Sequence, residues 1–85
     1  MNPRVTGVQY EKPYKLILTF ANKEVREFDF SNYLGYPVYD ILKDEAYCRK
    51  ARVLNGTVVW DDFVDFDPDT LYLESKPLAM ALLRN

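Results

Sequence analysis

Eighty-five residues, 48% of them apolar, with a net charge of −2, describe one folded domain with a modest core rather than a disordered chain or a strongly basic nucleic-acid binder. A single cysteine and no histidine exclude an internal disulfide framework and a Cys-rich zinc site, and remove the commonest general base and metal ligand together. No apolar run reaches eighteen residues, so a soluble, cytoplasmic protein is the expectation.

In chain order, residues 5–10 read as a first strand, ended by the turn Glu11-Lys12-Pro13. Residues 15–20 (KLILTF) alternate, with Leu16, Leu18 and Phe20 on one face; residues 25–30 (VREFDF) place Phe28 and Phe30 on a common face. A two-residue turn would set those phenylalanines on the side opposite Leu16 and Leu18. An odd loop, Ala21-Asn22-Lys23, brings all five onto one face, so the parity predicts a three-residue loop with Lys23 or a neighbour in the left-handed region.

The middle reads as helical. Ser31 is a candidate N-cap for a short turn through Leu34, halted by Gly35. Pro37 opens PVYDILK, where Val38, Ile41 and Leu42 share a helical face. Asp44 is placed to cap a further helix from Glu45 to about Ala51, acidic at its start and basic at its end. Val53 and Leu54 begin a return strand, and Asn55-Gly56 makes a tight turn into a strand at residues 57–60. Strands, helices, strands and a short helix give an α+β fold with a mainly antiparallel sheet, as a single domain over residues 1–85 with an apolar C-terminal tail at 77–85.

The densest stretch is TVVWDDFVDFDPDTLY, residues 57–72. Asp65, Asp67 and Asp69 have the spacing that opens a calcium loop. Such a loop needs Gly at its sixth position and a bidentate Glu at its twelfth, where this chain has Thr70 and Lys76. Scaffolding explains the acids better. Asp67 before Pro68 reads as a helix N-cap with Pro at the first helical position, and Asp69 lies in the first turn. Asp61 and Asp62 sit where the strand must turn back, and Asp65 has no assigned task. The expectation is therefore no metal, no cofactor and no catalytic residue.

Other groupings are open to two readings. Arg49, Lys50 and Arg52, beside Tyr47, fit phosphate contact or, more simply, complement a helix C-terminus. Tyr33, Tyr36 and Tyr39 at three-residue spacing fit a binding patch or half-buried core, and core is preferred, as it is for Trp60. Arg49 beside Cys48 could lower the thiol pKa, but nothing visible orients it for catalysis.

The stretch KLILTFANKEVREFDFSNYL, followed by TVVWDDFVDFDPDTLY, resembles the small bacterial family called domain of unknown function 2442. The shared features fall on Leu16, Leu18, Phe20, Phe28, Asp29, Thr57, Val58, Trp60, Asp65, Pro68, Leu71 and Tyr72. Lys23 departs from the pattern, since a Gly often completes that hairpin tip. The resemblance implies a compact α+β sheet domain without established catalytic activity. It also implies two contexts: fusion to a helix-turn-helix domain, which these 85 residues are not expected to include, or pairing with a small toxin-like companion protein.

Together these features lead to the expectation of a non-enzymatic protein-interaction module, antitoxin-like or regulatory, with an unknown, toxin-like partner protein. A nucleic-acid-binding regulator using Arg49, Lys50 and Arg52 is the alternative. The expected contact residues are Tyr36, Tyr39, Leu78, Met80 and Leu82. PLAMALL is too short to stand as an isolated helix, so it must dock on its own sheet or on a partner. A homodimer burying Leu78 and Leu82 in the second chain is expected.

Overall fold

The computed structural model describes residues 2–61 and 64–78. Its elements are β1 (Val5–Glu11), β2 (Lys15–Phe20), β3 (Val25–Asp29), two 3-10 helices (Ser31–Tyr33 and Pro37–Lys43), α1 (Glu45–Cys48), β4 (Arg52–Leu54), β5 (Thr57–Val59), α2 (Pro68–Leu73) and β6 (Lys76–Pro77). A four-stranded antiparallel sheet runs in the order β1-β2-β3-β6, and β4 and β5 form a separate antiparallel pair. The α+β fold with a mainly antiparallel sheet is as the sequence predicts.

The β2–β3 loop has three residues. Thr19 pairs with Val25, the Phe20 amide donates to the Glu24 carbonyl at 2.9 Å, and Lys23 takes a φ of 78°. Leu16, Leu18, Phe20, Phe28 and Phe30 are all buried on one side, as the parity argument requires. Lys23 thus sits in the left-handed region without being Gly. In β1, the register shifts between Val5 and Gly7. The extra residue turns both Val5 and Val8 inward, although three positions apart they would otherwise face opposite ways.

A second layer covers the inner face of this sheet. The turn Asn55-Gly56 has φ values of 52° and 81°, the two positive angles that a tight two-residue hairpin favours, and it returns β4 into β5. Val53 and Val58 pair and point to the core. Trp60 is only 4% exposed, and its Nε1 donates to the Cys48 carbonyl at 3.0 Å. The core reading of Trp60 therefore holds.

Several local expectations need correction. Ser31 does not cap its turn; the Ser31 amide instead donates to Asp29 Oδ1 at 2.9 Å, and that contact holds the Asp29 carboxyl below its ordinary range. Asp44 does cap α1, accepting from the Ala46 amide at 2.9 Å, but α1 ends at Cys48 rather than near Ala51. The Cys48 carbonyl accepts from both the Ala51 amide and the Trp60 indole, and the chain turns there into β4. Residues 76 and 77, for which no strand was expected, form an edge strand: Lys76 pairs with Glu27, Pro77 with Arg26, and the Leu78 amide donates to the Val25 carbonyl at 3.1 Å. Leu78 is half-buried within the single chain. Asp62, Met80 and Leu82 lie outside the described residues.

The acids act as caps and turns. Asp67 Oδ2 accepts from the Thr70 amide at 3.1 Å, with Pro68 opening α2. Asp61 Oδ1 accepts from the Val64 amide at 3.1 Å, its other oxygen accepts from the Tyr47 hydroxyl, and Asp65 forms a bridge to Val59. Among the described residues no three carboxylates or thiols come together as metal ligands would. Asp67→Ala is expected to lower stability by about 0.5–2 kcal/mol in chemical denaturation. Millimolar magnesium or calcium is expected to leave the melting temperature of the native chain unchanged.

Candidate protein-interaction surface

In the segment Pro37–Lys43, Val38, Ile41 and Leu42 were expected to share one helical face. Instead it is a 3-10 helix, and its period of about three residues separates them. Leu42 is fully buried, and Tyr39 packs inward one turn before it. Asp40 and Lys43, also three apart, form an ion pair at 2.9 Å on a second side. Val38 and Ile41 are left on the third side, 54% and 47% exposed, next to Tyr36 at 57%. Three of the chain's exposed large apolar side chains therefore stand within six residues.

The backing of this ridge is aromatic. The Tyr39 ring stacks on Phe66 with centroids 4.7 Å apart and planes 5° from parallel, and its hydroxyl donates to the Asp65 carbonyl at 3.1 Å. Tyr33 meets Phe66 edge-on at 5.2 Å and touches both Tyr36 and Tyr39. Phe66 in turn contacts Phe28, Phe30 and Trp60 in the core. Tyr33 and Tyr39 are thus half-buried supports, and Tyr36 is the exposed member of the trio.

Tyrosine hydroxyls also tie the helical layer to its surroundings. Tyr10 donates to Glu45 at 2.8 Å, Tyr72 to Glu24 at 2.8 Å, Tyr33 to Glu74, and Tyr47 to Asp61. The Glu74 contact, followed by burial, pushes Tyr33 up to about 12. Burial, followed by the Asp61 contact, pushes Tyr47 up to about 12 as well, and burial raises Tyr10. These folded values lie above the ordinary tyrosine value near 10. The stability they contribute is therefore complete below about pH 10 and is lost as pH rises through about 12. Phenolate absorbance followed together with circular dichroism is expected to show Tyr33 and Tyr47 ionising only as the fold is lost. Ionisation of either well before the dichroism changes would show that its hydroxyl contact is not held.

The basic residues are arranged differently. Arg49 is the exposed cap at the end of α1, Lys50 Nζ lies 5.8 Å from the Tyr47 ring centroid, and Arg52 opens β4 opposite Val59. All three are exposed, but Arg52 belongs to a strand while Arg49 and Lys50 belong to a turn. Cys48 is wholly buried, with its thiol donating to the Leu42 carbonyl at 3.0 Å, and burial pushes its pKa up rather than down. That placement leaves it unsuited to act as a nucleophile.

The match to the family described as protein of unknown function (DUF2442) runs over residues 5–77. This chain belongs to that family. It is also similar to the crystal structure of "putative DNA binding protein NE0471" from Nitrosomonas europaea, with 27% sequence identity and a TM-score of 0.77 over 88% of this chain. The likeness covers 50% of NE0471, so this DUF2442 chain spans half the length of that protein. No curated protein matches it.

Sequence reasoning missed two features of this DUF2442 chain. Val38 and Ile41 were grouped with Leu42 on one face because a seven-residue apolar pattern fits a 3-10 helix and an α-helix almost equally well. Arg26 was passed over because it is charged, although it shares the parity of Phe28 and Phe30 and therefore faces inward with them. Among the described residues, no helix is long and apolar enough to cross a membrane.

Proposed function

We propose that this DUF2442 chain is a non-enzymatic protein-interaction module that offers the ridge Tyr36, Val38 and Ile41 to a partner protein. The observation that carries this reading is the ridge itself: exposed apolar side chains held on a short helix whose inner side is locked by Tyr39, Leu42 and Phe66. An exposed tyrosine on a rigid support fits the composition of binding hot spots, with Val38 and Ile41 as apolar neighbours and Asp40 and Lys43 as a polar rim. The family resemblance supports the antitoxin-like or regulatory form of this reading, with a toxin-like companion as the partner. Self-association through the C-terminal segment belongs to the same proposal.

A second reading is favoured by the description of NE0471 and by the exposed Arg49, Lys50 and Arg52: nucleic-acid binding. Salt separates the two, because phosphate contacts weaken steeply as salt rises and an apolar interface does not. The test is calorimetry of the full chain with the product of the neighbouring gene, and separately with duplex DNA, at two salt concentrations. Light scattering on the same samples reports self-association. Ile41→Asp combined with Tyr36→Ser is expected to weaken partner binding at least tenfold with little change in melting temperature. Binding that ignores this double change, collapses in Arg49→Glu with Arg52→Glu, and falls steeply with salt would transfer the function to the basic residues.

A further inference from the structure

Among the residues of β2 and β3, Arg26 is the one cation on the core-facing side, directly across from Leu18. Its side chain is only 14% exposed. Nε donates to Ser75 Oγ at 2.7 Å, one terminal nitrogen donates to the Ser75 carbonyl at 2.7 Å, and the other reaches Glu24 Oε1 at 2.8 Å. The guanidinium also lies 4.5 Å above the Tyr72 ring. Glu24 accepts from the Tyr72 hydroxyl and from Asn22 Nδ2, and those contacts, with Arg26, hold its carboxyl below the usual glutamate range. Every group around the guanidinium is thus fixed by a neighbour.

Among the described residues, the segment this arrangement grips is otherwise held by polar contacts near its start: Tyr33 donates to Glu74, and the Ser75 amide and hydroxyl donate to the Tyr72 carbonyl. Glu74, Lys76 and Pro77 are exposed, Leu78 is half-buried, and Ser75, the buried member, is polar. Among the described residues, its pairing to β3 consists of two register positions and the Leu78 amide bond to the Val25 carbonyl. One turn earlier the situation reverses: Leu71 of α2 is fully buried, and Tyr72 packs edge-on against Phe20 with centroids 5.1 Å apart. The change from apolar to polar attachment falls at Glu74, the residue that ends α2.

Segments attached through few apolar contacts open at lower free energy than the core they adjoin, and they open as units. We propose that residues 75–78 form a strap that opens and closes over the edge of β3 while α2 and the rest of the fold stay in place, with Arg26 as its catch. Opening breaks the Arg26 contacts to Ser75 together with the β3–β6 pairing, and it leaves the backbone edge from Val25 to Glu27 unpaired. The charge-assisted fork of Arg26 sets how often that occurs, because it supplies both of the side-chain contacts made to Ser75 from the sheet.

Hydrogen exchange on the full chain tests this, followed by nuclear magnetic resonance under native conditions with small additions of denaturant. The Leu78 amide, bonded to Val25, is expected to exchange at least tenfold faster than those of Phe30 and Trp60, bonded to Tyr14 and Val64, and with weaker denaturant dependence. Arg26→Lys keeps the charge but loses the fork, and it should speed Leu78 exchange at least tenfold further relative to Phe30 and Trp60. Ser75→Ala, which removes only the hydroxyl contact, should produce a smaller relative rise, and it serves as the probe if the Arg26 variant does not fold. Leu78 exchanging at the core rate with core denaturant dependence would overturn the strap. A rise shared equally by all three amides in both variants would overturn Arg26 as its catch.

Discussion

Trp60→Ala is expected to remove a large share of this chain's stability and to shift its urea midpoint sharply downward. Trp60 is buried between Phe30 and Phe66, with ring centroids 6.1 Å and 5.8 Å away. Emptying such a site costs about 3–5 kcal/mol. The Cys48 carbonyl loses the indole N–H but keeps the Ala51 amide at 3.2 Å, so the broken hydrogen bond adds only about 1 kcal/mol. A domain of this size has roughly 4–13 kcal/mol of stability in all, at about 0.05–0.15 kcal/mol per residue. Far-ultraviolet circular dichroism against urea is the measurement, and Trp60→Phe should remain folded with a midpoint between the two. An unchanged midpoint for Trp60→Ala would contradict the burial of the indole.

Phe66→Ala is expected to act on stability and on the ridge together. The ring touches Phe28, Phe30 and Trp60 on the core side and Tyr33 and Tyr39 on the outer side. Its loss should cost about 3–5 kcal/mol, as for other buried aromatics. Phe66→Leu keeps most of the volume, and conservative swaps of this kind typically cost under about 1.5 kcal/mol. It nevertheless removes the flat surface on which Tyr39 stacks, and Tyr39, with Leu42, holds the Pro37–Lys43 helix against the core. Urea titrations of both variants measure the first effect. Partner binding by the folded Phe66→Leu protein measures the second, which should fall more than the modest change in midpoint explains. Binding that tracks stability alone would show that the ridge does not depend on this support.

The legibility of the fold follows the range of the interactions that set it. Leu16, Leu18, Phe20, Phe28 and Phe30 declare the hairpin because the side-chain period of a strand is two, and parity alone then fixes the loop length. Asp67-Pro68 and Asn55-Gly56 were legible because caps and tight turns are decided within a few neighbouring residues. The 3-10 helix was not legible. Over seven residues a period of three differs from 3.6 by little more than one position, and that position was Leu42. The strand at Lys76–Pro77 was hidden because its partner, β3, lies some fifty residues earlier and its own residues carry no alternating pattern. Arg26 was hidden for the same reason, since Ser75, which justifies its burial, is 49 residues away.

The three-sided helix between Tyr36 and Asp44 has a consequence for how this surface can vary. Each residue in a 3-10 helix advances the chain by about a third of a turn. The segment is anchored at one end by Pro37 and at the other by Asp44, whose carboxylate caps α1. Inserting a single residue ahead of Ile41 would rotate everything after it by about 120°, turning Ile41 toward the core and Leu42 toward solvent, and deleting one would turn Leu42 outward and Lys43 toward the core. An indel of three would restore the phase. Length changes in this stretch are thus expected to be tolerated in threes, a reading frame written in side-chain direction rather than in codons.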